Sequence, residues 1–335
     1  MEYIESYYLE SRTGLLFTVK GPVHPPETVV AYLKYAPDPE GERIRDGVRY
    51  RKLYILEEQE ALLKDRYPAC LFFDPVFGEF LQGLPRKLIK KVYDPRLKLA
   101  ELQKKKNRGE LEENAVRFTG LLAERAGVST GNIGISGSLL VDLPTPHSDI
   151  DLVVYGSGVC RAVHKALWYL LDGPEKEVRR LNEEGFRRLY ASRYKDTPVD
   201  FEEVTHLERR KVIQAQFRES EYFIRFVKLP GEIKENYGDR RFTSPGEAEI
   251  EARVVDAGEA FYTPCTYKVE KVRFLGAVDT LSLREIVSFS GMFCEQAREG
   301  EIVKARGKLE KVVTIEGEVY HRLLLGRPGD FMLVS

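Results

Sequence analysis

The stretch that most constrains this chain is Asp149-Ile150-Asp151-Leu152-Val153-Val154-Tyr155. Its β-branched and aromatic residues suit a strand packed into a core. Successive strand residues point to opposite faces, so Asp149 and Asp151 share one face while Ile150 and Leu152 share the other. Two carboxylates aimed at one spot raise each other's pKa unless a cation lies between them. Oxygen-only donors of this kind suit Mg²⁺, which completes its shell with water and substrate phosphate. A plain acidic strand end facing solvent is the other reading of the same residues.

The run Gly134-Ile135-Ser136-Gly137-Ser138 precedes this strand, with ten residues between Ser138 and Asp149. Gly137 lets a phosphate approach backbone amides, and the Ser138 hydroxyl can donate to a phosphate oxygen. Leu139 and Leu140 are expected to open a short helix whose N-terminus favours an anion. A site with two metal ions, ~3.5–4 Å apart, needs a third carboxylate. Asp200, within Pro198-Val199-Asp200-Phe201, is the candidate, on a strand expected over 198–204. Glu202 would share its face and Glu203 would point away.

The order of Gly-Ser, spacer, Asp-x-Asp and apolar-Asp-apolar resembles the DNA polymerase β-type nucleotidyltransferase superfamily. The Ser148-Asp149-Ile150-Asp151-Leu152 run is most similar to small archaeal and bacterial predicted nucleotidyltransferases. The resemblance covers about residues 131–202. It implies transfer of a nucleoside monophosphate from an NTP to a hydroxyl, with two Mg²⁺ ions held by three carboxylates. Carried over by position, Gly137 and Ser138 bind the triphosphate, Asp149 and Asp151 bridge both ions, and Asp200 holds the catalytic ion. Many small members carry a small residue, a basic residue and a second Gly soon after Gly-Ser. This chain has Leu139-Leu140-Val141-Asp142-Leu143-Pro144 there instead.

The rest of the chain frames that segment. The expected fold class is α+β, a mixed nucleotidyltransferase sheet with helices between flanking parts. The expected domains are an N-terminal α/β part at 1–93, a catalytic domain at 94–222 that opens with a basic helix, and a β-rich part at 223–335. The last is read as a small barrel interrupted by a helix near Leu281 to Phe289. Within the catalytic part, Asp94-Pro95 reads as a helix start. Further helices are expected at Leu111–Ala126, closed by Gly127, at Val159–Leu171 and from Glu175 to about Tyr190.

The chain has 52 Lys plus Arg against 53 Asp plus Glu, which excludes a globally basic coat for nucleic acid. Locally, Leu84 to Arg108 holds ten cations and two acids, a stripe that could track an RNA backbone. Its other reading is a solvated face balanced by acids elsewhere. Arg179, Arg180, Arg187, Arg188, Arg193 and Lys195, interleaved with Phe186, Tyr190 and Tyr194, form a second basic stretch. The four cysteines are widely spaced and read as reduced structural thiols. No apolar run approaches the ~20 residues that span a bilayer. The expected setting is cytoplasmic, with no membrane partner, an NTP (ATP foremost) as ligand, and RNA slightly favoured as acceptor over a protein hydroxyl or a small molecule. The alternative is a catalytically inactive nucleotide- or RNA-binding module on the same scaffold.

Overall fold

The computed structural model describes residues 2–174, 176–194, 197–276 and 281–335. In chain order the N-terminal part holds β1 (Tyr8–Ser11), β2 (Leu16–Val19), β3 (Thr28–Pro37), β4 (Arg43–Arg45), β5 (Val48–Lys52), α1 (Leu56–Arg66), β6 (Leu71–Asp74), β7 (Glu79–Pro85) and β8 (Ile89–Tyr93). The middle holds α2 (Pro95–Lys104), α3 (Glu110–Ala126), β9 (Ile133–Ile135), α4 (Gly137–Leu140), β10 (Ile150–Tyr155), α5 (Ser157–Asp172), β11 (Val178–Arg179), α6 (Glu183–Arg193), α7 (Phe201–Glu208), β12 (Gln214–Phe217) and β13 (Ser220–Val227). The C-terminal part holds β14 (Arg240–Glu259), β15 (Cys265–Phe274), β16 (Leu283–Ser288), β17 (Ile302–Thr314), β18 (Val319–Leu325) and β19 (Phe331–Val334). The fold is mixed α+β with a β-rich C-terminal region.

The chain divides into two compact units. The first comprises Met1–Asp74, Glu79–Arg179 and Ile213–Tyr237, and the second Pro75–Gly78, Arg180–Val212 and Gly238–Ser335. At the heart of the first unit is a five-stranded sheet in the order β11-β12-β13-β10-β9. β10 runs antiparallel to β9 and parallel to β13. The expected boundary at 222/223 therefore falls inside β13, because Tyr222 to Val227 pair with Ile150 to Tyr155. That pairing joins segments far apart in sequence, which no local signal reveals.

Each face of this sheet is covered. On one side Phe118 of α3 stacks 4.7 Å from Phe217 and 4.7 Å from Tyr222. On the other, Val153, Tyr155 and Val227 share a core with Leu9, Phe17, Ala31 and Leu33 of the N-terminal sheet. The N-terminal residues are thus the second layer of the same unit rather than a separate body. Helix boundaries follow the local chemistry. Asp94 caps α2 by accepting the Arg96 amide at 2.8 Å, and Gly127 closes α3 in the left-handed region at φ 65°.

In the second unit, β14 pairs with β15, β15 with β16, β16 with β18, β18 with β17, and β17 back with β14. The five strands close into a ring, and β19 adds to β17. The helix expected at Leu281–Phe289 is instead a strand, β16, whose Leu283, Ile286 and Val287 are buried between β15 and β18. Tertiary pairing overrides the weak helical pattern there. α6 and α7 also belong to this unit, packing Leu189 and Val204 with Phe331. The helix expected from Glu175 begins later, at Glu183, with Asn182 as its cap, and Glu175 itself lies outside the described residues.

Candidate functional site

The Gly-Ser turn and the acidic strand meet in the first unit. β9 ends at Ile135, and the Ser136 amide donates to the Asp151 carbonyl at 2.8 Å. The chain then turns through Gly137 at φ 59°, a conformation that suits glycine. Space requires glycine as well. A Cβ on Gly137 would stand 1.9 Å from Oδ2 of Asp151. The Asp151 carboxylate therefore lies directly against the backbone of the turn. Ser136 ties the turn to the N-terminal segment by donating its hydroxyl to the Ser6 carbonyl at 3.1 Å.

α4 is a single turn, and Ser138 within it is buried. The Leu139–Leu143 stretch that departs from the family pattern has a structural role. Leu140, Val141 and Leu143 pack with Tyr8, Leu16, Tyr35 and Tyr50, and the Arg43 guanidinium donates to the Leu143 carbonyl at 2.5 Å. His147 is exposed on the following loop.

Asp149 and Asp151 are partly exposed at the start of β10, while Ile150 and Leu152 are fully buried on the opposite face. The register pairs Asp151 with Phe223 and Val153 with Arg225 across parallel β13. Arg225 reaches back to Asp151, Nη1 to Oδ1 at 3.5 Å, and its guanidinium lies 4.8 Å from the Phe223 ring centroid. Glu221 precedes Tyr222 and so falls on the same face of β13 as Phe223 and Arg225. Sequence reading missed Arg225 because nothing local aligns residue 225 with residue 151.

The N-terminal sheet adds a second group that was missed. Across β2 and β3, Leu16 pairs with Tyr35 and Phe17 with Leu33, so Lys34 is an extra residue in β3. This bulge makes Lys34 and Tyr35 together oppose Leu16. Burial pushes the Lys34 ammonium pKa down to about 7, helped by Lys20, Arg225 and Lys52 and opposed by Asp151. Burial also pushes the Tyr8 and Tyr35 hydroxyls up, with Asp151 contributing to both. The Tyr35 hydroxyl is buried with no hydrogen-bond partner among the described residues.

Asp200 lies at a helix start rather than on a strand. The expected strand over 198–204 is the start of α7, and Asp200 is its N-cap, accepting the Glu203 amide at 2.8 Å. Glu203 in turn accepts the Asp200 amide at 3.5 Å. Asp-x-x-Glu is a capping-box spacing, and that local signal outweighs the apolar neighbours. Asp200 also belongs to the second unit, whereas Asp149 and Asp151 belong to the first. Among the described residues, no group of three or more His, Cys, Asp or Glu is gathered so as to hold a metal ion.

The basic stretches are partly engaged by the fold. Lys90 pairs with Glu10, Arg96 with Asp94, Lys98 with Glu101 and Asp142, Lys105 with Glu112, and Arg108 with Glu113. Half of the ten cations in Leu84–Arg108 are thus matched by carboxylates. In the second stretch Arg187 and Arg188 pair with Glu183 and Glu184, and Phe186 and Tyr194 are buried. Lys195 lies outside the described residues. All four cysteines are buried free thiols. Among the described residues no helix is long and apolar enough to cross a membrane.

No family model matches the chain, and no solved structure matches it. The chain is 30% identical over 327 residues to the uncharacterized protein MJ1086 of Methanocaldococcus jannaschii, covering 95% of this chain and 94% of that one. The chain belongs to the family of that protein. The likeness runs well beyond residues 131–202, so it takes in both compact units as well as the motif-bearing segment.

Proposed function

We propose that the Gly137–Asp151 site binds a nucleoside triphosphate with a divalent cation and transfers its nucleoside monophosphate part to a hydroxyl, with pyrophosphate leaving. The observation that supports this reading is the contact between Gly137 and the Asp151 carboxylate, which brings a phosphate-compatible turn and an acidic strand to one point. Asp149 and Asp151 offer oxygen donors from one strand face, a donor set that fits one Mg²⁺. A second ion held by Asp200, as the family resemblance implies, gains no support from residues gathered in the first unit. When bound, the ion supplies neutralisation of phosphate charge. The chain's own residues do the rest. Asp149 and Asp151 would hold the ion that carries the phosphates, and Gly137 gives the Asp151 carboxylate its place against the turn. ATP is the expected nucleotide, and RNA is one candidate acceptor.

The ion pair between Arg225 and Asp151 favours a second reading. A guanidinium already takes up part of the Asp151 charge, as suits a module that binds nucleotide without turning it over. Pyrophosphate release from each NTP with Mg²⁺, with and without total RNA, separates the two. Release that is lost in the Asp149→Ala/Asp151→Ala double variant supports the transferase. Calorimetric NTP binding with no release supports the binding module. Absence of both removes the nucleotide reading.

A further inference from the structure

Lys34 carries two costs that the N-terminal sheet does not explain. The regular pairing of β2 with β3 is broken at it, and the residue is half-buried with no carboxylate in ion-pair distance among the described residues. A buried charge is ordinarily matched by an opposite charge. Its electrostatic surroundings instead hold three further cations, Lys20, Lys52 and Arg225, against Asp151. Lys20 is occupied by Glu5 at 3.4 Å, and Lys52 lies 4.7 Å from the Tyr54 ring centroid. Arg225 is held beside Asp151 at 3.5 Å, and Lys34 shares its electrostatic surroundings with both.

Resting on the nucleotide reading above, we infer that Lys34 and Arg225 form the subsite for the terminal phosphates of the bound nucleotide. The bulge is what delivers the lysine. Strict alternation along β3 would place residues 33 and 35 on one face, yet Leu33 packs in the core with Phe17 while Tyr35 packs with Leu16 and Tyr8. The extra residue absorbs that change of face, and it stands between Leu33, which shares a core with Val153 of β10, and Tyr35, which shares one with Leu140 and Val141 beyond the Gly137 turn. An anion seated there would supply the countercharge that the fold withholds. An ammonium already biased toward losing its proton would regain it on binding a polyphosphate. Phosphate is the class that fits, since paired cations beside a metal-competent carboxylate pair recognise a polyanion rather than a base.

The test is calorimetry on the full chain with inorganic tripolyphosphate in the absence of divalent ions, followed by ATP with Mg²⁺. Wild type should bind tripolyphosphate. Lys34→Met should weaken that binding roughly tenfold or more, as loss of a charge-assisted bond predicts, and Lys34→Arg should restore most of it. Deleting Lys34 restores regular pairing, leaving Leu33 opposite Phe17 and Tyr35 opposite Leu16. It should behave as Lys34→Met does, and it covers the case in which methionine at 34 misfolds. Unchanged tripolyphosphate affinity in both Lys34→Met and the deletion overturns the subsite while leaving the nucleotide reading intact. Failure of wild type to bind tripolyphosphate also overturns it. Tripolyphosphate binding that depends on Lys34, in a protein that neither binds nor turns over ATP, supports the anion site and removes the nucleotide reading alone.

Discussion

The Oδ2 atom of Asp151 stands where the Cβ of any residue but glycine at position 137 would have to be. Gly137→Ala therefore meets two penalties, a positive φ and a clash with a carboxylate. Gly127→Ala is the natural control, since Gly127 has φ 65° with nothing within 4 Å of its virtual Cβ. The control should lose about 1 kcal/mol from backbone strain alone, and Gly137→Ala more, on the order of 2–4 kcal/mol. Denaturant titration of the two variants measures the difference. Equal losses would mean that the Asp151 carboxylate yields freely.

Asp200 offers a clean separation of capping from metal binding. Asp200→Ala should destabilise α7 by about 1 kcal/mol, whereas Asp200→Asn keeps an acceptor at the cap and should cost a few tenths at most. Pyrophosphate release by Asp200→Asn should match wild type if the residue is only a cap. A stable Asp200→Asn protein that has lost Mg²⁺-dependent release would return Asp200 to the ligand set.

His24 predicts an acid-side loss of stability. Burial, with a smaller contribution from Arg86, pushes its pKa down to about 4, although its Nε2 donates to the Tyr3 carbonyl at 3.1 Å. The unfolded chain takes up this proton near pH 6.5, and the folded chain only near 4. Stability attributable to His24 is thus intact above pH 6.5 and falls as pH drops towards 4, with a slope of up to about 1.4 kcal/mol per pH unit. His24→Gln should flatten this part of the profile, read as the difference between the two proteins from pH 7 to pH 4.5. Parallel profiles would show that the folded protein already accommodates the imidazolium.

The Lys308–Glu310–Arg322 triad of the barrel should outweigh any surface pair. Glu310 sits 2.7 Å from both cations, and all three side chains are nearly fully buried. Burial works to raise the Glu310 pKa, but Arg322 and Lys308 overcome it and hold the group below its ordinary value. Glu310→Gln removes the carboxylate that Lys308 and Arg322 share and should cost about 3–5 kcal/mol. Arg187→Ala, which breaks the exposed pair with Glu183, should cost no more than about 0.5 kcal/mol. Thermal unfolding of the two variants gives the ranking.

What the sequence made legible was local. Asp94-Pro95 and Gly127 mark helix ends through their own side chains and dihedral freedom, and the alternation from Asp149 to Tyr155 sets which residues face the core. The Glu316-Gly317 turn likewise joins β17 and β18 as a hairpin. What stayed hidden depends on partners. Asp200 presents an apolar-flanked acid and a capping box at once, and tertiary context selects the second. Lys34 reads as one more residue in an apolar strand until the register with β2 shows it to be surplus. Arg225 matters because β13 lies beside β10, and the ring closure of the barrel rests on β14 meeting β17. Each of these is a long-range pairing with no echo in nearby residues.

The placement of β13 has a consequence for how the protein is made. β13 is the middle strand of five, yet it is the last of them to emerge from the ribosome. While α5, α6 and α7 are being synthesised, β10 has only β9 beside it, and its other edge offers a row of unpaired amides and carbonyls. A nascent chain stalled short of Val227 would therefore expose an adhesive strand edge, a state that a cell has reason to shield or destroy.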